Sequence, residues 1–169
     1  MWIIETGHSH GFRQDLAIIH QQNDSGFDAL TAILQQYFVV MSKCVIDRLA
    51  SVLRLADFTG ATLMAVQGWG LFAQGAQFEN ANLSAAYLQF ARLSGAKMRK
   101  ANLRAADLEM TWLSKADLKG ASLLSANLQE VKMGGANLEN ADLSDSRQLY
   151  GNYQGANMPG CKSCPQGWD

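Results

Sequence analysis

Ala101-Asn102-Leu103-Arg104-Ala105-Ala106-Asp107-Leu108-Glu109-Met110 states one pattern twice: a small residue, an Asn or Asp, a leucine, then two variable positions. Followed outward in both directions, the same five-residue period runs without insertion from Ala56 to Gly160, 21 units in one register. The first position is Ala in 15 units, the exceptions being Val66, Leu71, Thr111, Val131, Ser146 and Gly151. The third is Leu in 12 and Phe, Met or Tyr in six more; only Gly68, Ala73 and Gln148 break it. The second is Asn or Asp in ten.

A helix repeats near 3.6 residues and a strand near 2, so a period of five fits neither. It fits a coil that turns a corner every five residues. Positions one and three then point inward, like alternate residues of a short strand. Leucine fills the axis, and alanine sits where backbone passes close, the large-small alternation that close packing demands. Asn or Asp at position two and Gly at position five suit tight turns, since Asx side chains bond nearby backbone and Gly accepts positive φ.

These residues resemble the pentapeptide-repeat family, whose consensus is A-(D/N)-L-x-x, over 105 of the 169 residues. The resemblance implies an all-β solenoid, a right-handed quadrilateral β-helix with four repeats per coil. Twenty-one units then make about five coils, and at 4.8 Å between stacked strands the rod is roughly 25 Å long.

Four units per coil stack residues 20 apart and turn the sequence into surface columns. One column reads Thr59, Glu79, Arg99, Lys119, Glu139, Pro159, which predicts ion pairs of Glu79 with Arg99 and of Lys119 with Glu139. Another reads Gly70, Phe90, Met110, Glu130, Tyr150, beside Phe72, Arg92, Trp112, Lys132, Asn152. Trp69, Phe72, Tyr87, Phe90, Met110, Trp112 and Tyr150 are therefore expected to cluster on outward positions along one edge. A contiguous apolar patch marks contact with something, either the N-terminal segment of the same chain, a second copy or a partner protein. Arg92, Lys97, Arg99, Lys100 and Arg104 have no acid among them and read as a basic patch, or as ordinary solvated surface. Gly68 and Ala73 stand where core residues belong, so residues 66–75 fit either regular coils or a loop.

Residues 1–55 lack the period and read as an N-terminal α-helical segment; 56–160 are the repeat; 161–169 are a C-terminal tail. From Phe27 to Leu55 there is no Gly or Pro, and Leu30, Leu34, Tyr37, Met41, Val45, Leu49 and Val52 fall three and four apart. One long helix or two abutting ones fit equally. A solenoid leaves its ends open, so this segment is expected to cap the rod or to form a homodimer. In the tail, the indole of Trp168 could lie over the last coil.

Composition narrows the function. With 14 basic and 15 acidic residues the net charge is -1, which excludes a strongly basic nucleic-acid binder. The densest apolar run, Tyr37-Phe38-Val39-Val40-Met41, is far short of the roughly 20 residues a bilayer span needs. The start, Met1-Trp2-Ile3-Ile4-Glu5, has no signal-peptide pattern, so a soluble cytoplasmic protein is expected. Cys161 and Cys164 form half a zinc site with no second pair, so a local disulfide or two free thiols is expected instead. His8 and His10 are a weak metal pair in a terminus, and no His lies in the repeat to build a Ser-His-Asp set. No catalytic, cofactor-binding or metal residues are expected. The chain reads as a non-enzymatic interaction or scaffold module with an unidentified protein partner. The alternative that the resemblance raises is a DNA mimic that binds DNA gyrase. It needs an acidic surface matching duplex charge, whereas charges within the repeat cancel.

Overall fold

The computed structural model describes residues 53–167. The expected N-terminal helices and the position of Trp168 lie outside these residues. Within them the chain winds as a four-sided solenoid. Eighteen parallel pairings join residues 20 apart, from Asp57 with Gln77 to Asp142 with Lys162. Four units thus make one coil, and position two of each unit carries the pairing. We number the sides in chain order: the first runs through Asp57, Gln77, Lys97, Asp117, Asn137 and Asn157, the second through Thr62 to Lys162, the third through Gln67 to Arg147, and the fourth through Phe72 to Asn152. Each side includes the turn that follows it.

The backbone of each unit explains its consensus. The N–H groups of positions two, three and five bond carbonyls of neighbouring coils, as in Gln77 to Ala56 (2.8 Å), Phe58 to Gln77 (2.7 Å) and Gly60 to Glu79 (2.8 Å). The N–H of position one closes the turn on the carbonyl three residues back, as Ala61 does on Phe58 at 3.0 Å. Only position four lacks a backbone partner for its N–H. The Asx side chain at position two supplies it: Ser84 donates to Asn82 Oδ1, Lys119 to Asp117 Oδ1 and Ser144 to Asp142 Oδ1, at 3.1–3.2 Å. Position five has a left-handed φ in every unit, including bulky residues such as Phe90 (61°), Met110 (54°) and Tyr150 (59°). The turn therefore imposes this conformation whether or not glycine is present, although glycine carries it at least steric cost.

From Phe58 to Tyr153 the first and third positions are buried except Leu71, Ser146 and Gln148. The leucines stack down the axis, most with no exposure at all; fully burying one contributes about 1.5–3 kcal/mol. Thr111, at an alanine position, satisfies its buried hydroxyl by donating to the Leu88 carbonyl at 2.6 Å.

Residues 66–75 are regular coils and not a loop, since Gln67 pairs with Tyr87 and Phe72 with Arg92. The missing core side chain at Gly68 is replaced from two directions. A Cβ there would stand 2.7 Å from Leu88 Cδ2 and 3.7 Å from Leu71 Cδ2, so these leucines lean into the space. Filling is incomplete: an apolar cavity of about 30 Å³ remains near this end, lined by Leu53, Phe58, Leu63, Val66, Phe78 and neighbours. Phe58 and Phe78 stack in register with centroids 5.0 Å apart. Toward the other end the substitution runs the opposite way. Tyr153 puts a ring where leucine is usual, and Gly151 makes room for it; a Cβ at 151 would lie 2.6 Å from that ring.

The coil reaches slightly past both ends of 56–160. Leu53 is buried, Leu55 has the turn's positive φ, and Lys162 pairs with Asp142. Beyond it the sulfurs of Cys161 and Cys164 are bonded, and Gln148 Nε2 donates to the Ser163 carbonyl at 2.9 Å.

Candidate interaction surface

Three of the four sides use their outward polar groups on themselves. On the first, Asn137 Nδ2 donates to Asp117 Oδ1 (3.1 Å) and Asn157 Nδ2 to Asn137 Oδ1 (2.9 Å). On the second, Asn102 Nδ2 donates to Asn82 Oδ1 at 3.1 Å, and on the third, Asn127 Nδ2 donates to Asp107 Oδ1 at 3.0 Å. Lys119 pairs with Glu139 at 2.8 Å, as its column predicts. Arg99 does not pair with Glu79. Its Nε binds Asp117 Oδ2 at 2.5 Å, one coil on and across to the adjoining column. Asp117, on the flat of the side, takes both the guanidinium and the ladder amide of Asn137.

These partners set the carboxylate protonation. Burial pushes the Asp117 carboxyl up, but hydrogen bonds from Arg99, the Lys119 N–H and Asn137, with the Arg99 charge, hold it below the usual value. The Ser144 hydroxyl and N–H lower Asp142, and the Thr59 hydroxyl and N–H lower Asp57. Hydrogen bonds to an ionised carboxylate favour that form.

The five cations that adjoin one another in sequence are spread over three sides of the rod. Arg92 lies on the fourth side, Lys97, Arg99 and Lys100 on the first, and Arg104 on the second. Thirteen residues span more than half of a coil, so Arg92 and Arg104 face different directions from the three cations between them.

The aromatic edge divides into two contacts. Trp69 and Phe90, in consecutive turns of the third side, touch with centroids 5.5 Å apart and are 61% and 46% exposed. On the fourth side Arg92 lies between two rings, its Cζ 4.7 Å from the centroid of Phe72 and 5.8 Å from that of Trp112. Trp112 is 52% exposed and Phe72 half-buried. Tyr87 is exposed in the third-side column, and Met110, partly covered, follows Phe90 in the turn column. Tyr150 is the most exposed, at 79%, but Glu130 separates it from Met110, so it stands apart from the cluster. The sequence column put Arg92 between Phe72 and Trp112, but sequence reasoning counted it only among the basic residues and drew no contact with the rings from it. The 20-residue spacing of Phe72, Arg92 and Trp112 was the available signal.

Among the described residues no group of His, Cys, Asp or Glu is placed to hold a metal ion, and no helix is long and apolar enough to cross a membrane. The pentapeptide-repeat family model matches residues 81–120 and 113–145, with eight copies of the repeat. Among solved structures, the pentapeptide repeat protein alr5209 from Nostoc Pcc 7120 is 28% identical, with TM-score 0.53, over 69% of this chain and 95% of its own. Rfr23 from the cyanobacterium Cyanothece 51142 is 29% identical, with TM-score 0.51, over 60% of this chain and 63% of its own. AT2G44920 from the Arabidopsis thaliana thylakoid lumen is 32% identical, with TM-score 0.39, over 62% of each chain. The chain thus spans less than two thirds of the length of Rfr23 and of AT2G44920. No curated protein matches it. With the 20-residue coil, this match identifies residues 81–145 as pentapeptide repeats, a sequence pattern that forms a right-handed β-helix.

Proposed function

We propose that this protein is a non-enzymatic interaction or scaffold module that presents the edge between its third and fourth sides to a protein partner. The observation that carries this reading is the exposure of Trp69 and Phe90 in the third-side turns and of Trp112 on the fourth side, on a rod whose other three sides bond many of their outward polar groups to one another. Aromatic residues dominate interface energetics, and a rigid backbone reduces the ordering cost of binding. Homodimerisation through residues 1–55 and a cytoplasmic location are parts of the same reading. Light scattering on the full chain tests the first of these; a monomer at all concentrations removes it. The DNA-mimic alternative finds no support in the charge distribution. Of the nine acids from Asp57 to Asp145, no side carries more than four, and the four on the first side are matched there by Lys97, Arg99, Lys100 and Lys119.

The partner surface is tested by photo-crosslinking in cells, with the crosslinking residue at position 90 or at position 104, on the edge between the second and third sides. Discrete protein adducts are expected from 90 and not from 104. Equal adducts from both, or none from 90, contradict the reading.

A further inference from the structure

Sorting the charges by side reveals an asymmetry that the linear sequence hides. The fourth side with its turns comprises residues 53–55, 71–75, 91–95, 111–115, 131–135 and 151–155, and they contain no carboxylate. They contain four cations: Arg54, Arg92, Lys115 and Lys132. All nine acids from Asp57 to Asp145 belong to the other three sides. No ion pair among the described residues involves these four cations; the pairs found use Arg99, Lys119 and Lys162. Among the described residues of a chain of net charge -1, positive charge without an ion-pair partner thus gathers on one side and its turns, and that side also carries Phe72 and Trp112.

We propose that the fourth side docks an acidic, partly apolar protein segment, with carboxylates on Arg92 and Lys132 and apolar groups against Phe72 and Trp112. This inference rests on the interaction-module reading and names the chemistry of the partner. Arg92 is the anchor. Phe72 and Trp112 flank its guanidinium, a group that can take a carboxylate in bidentate fashion, so less is lost on ordering it when one binds. The like-signed side steers an acidic partner during encounter. The same stack argues against single-stranded nucleic acid: base stacking needs free ring faces, and Arg92 covers one face of each ring.

The test uses the full chain and two labelled probes in fluorescence anisotropy: a peptide of about 15 residues repeating Glu-Glu-Leu, and an oligodeoxythymidine of equal length. Saturable peptide binding is expected, weakening as salt rises from about 20 to 200 mM. Arg92→Gln and Lys132→Gln are each expected to raise Kd about five-fold or more. Arg104→Gln, on the second side, is expected to leave it unchanged, with all three variants melting as the parent does. The proposal is overturned if the peptide does not bind, if Arg104→Gln weakens it equally, or if only the oligonucleotide binds. Position-90 adducts in cells together with no peptide binding would sink the acidic-partner inference and leave the interaction-module reading standing.

Discussion

Asp117 and Trp112 stand five residues apart in one coil, on the first and fourth sides, each beside a leucine with no exposure, Leu118 and Leu113. Both occupy position two of their units and both pair with parallel neighbours 20 residues away. Asp117 spends its oxygens on the rod's own groups, the Lys119 N–H, Asn137 and Arg99. Trp112 contributes no polar bond, leaves half its surface in solvent and touches Arg92. The contrast teaches that position two has two uses on one scaffold. An Asx there satisfies the otherwise unpaired N–H of position four. A residue without a side-chain acceptor, such as Trp112, leaves that N–H without this partner and frees the side for something else.

If the core is indifferent to which side lies above it, Leu103→Lys beneath the second and Leu113→Lys beneath the fourth should do equal damage. Each buries a charge on the axis and is expected to cost roughly 4 kcal/mol or more, enough to unfold the rod. Circular dichroism checks this, and a variant with unchanged melting would overturn the inward assignment. Gly151→Ala comes next. Its Cβ meets the Tyr153 ring and should cost about 1–3 kcal/mol, most of it recovered in Gly151→Ala with Tyr153→Leu; a double-mutant cycle in urea measures the coupling.

Asp117→Ala removes three hydrogen bonds and should cost about 1–3 kcal/mol. The lowered carboxyls of Asp57, Asp117 and Asp142 add a pH dependence with a definite sign. Their stabilisation is complete above the unfolded value near 4 and is lost as pH falls through the lower folded values. Melting temperature should therefore drop below about pH 4, and less steeply in Asp117→Ala. Tyr153 gives the alkaline counterpart, since burial pushes its phenol up. The unfolded chain ionises near pH 10 and the folded one higher, so stability should decline above about pH 10. Tyr153→Phe should flatten that decline, which alkaline melting curves would register. Trp112→Ser is the smallest expected effect, within about 0.5 kcal/mol.

The repeat, the inward and outward positions and the 20-residue columns were legible because one period fixes them all. What the columns alone left open are adjustments between neighbours of different columns. Gly68 invites a loop when read alone, yet Leu71 and Leu88 fill its place from different units. The Glu79–Arg99 pairing follows from stacking, but side chains reach diagonally and Arg99 found Asp117. The five cations from Arg92 to Arg104 look clustered because chain distance hides direction: the rod turns four corners every 20 residues. The opposite reading, side by side instead of along the chain, brings out the acid-free fourth side. Cys161 and Cys164 were open between thiols and a disulfide; the sulfurs are bonded here.

The most direct test of this division of labour is equilibrium urea unfolding of the full chain carrying Asp117→Ala or Trp112→Ser, measured side by side. The account predicts a clearly lowered midpoint for Asp117→Ala and an unchanged one for Trp112→Ser. A loss at Trp112 as large as that at Asp117 would show that the indole holds the fold together, and the fourth side would not be a surface kept for a partner.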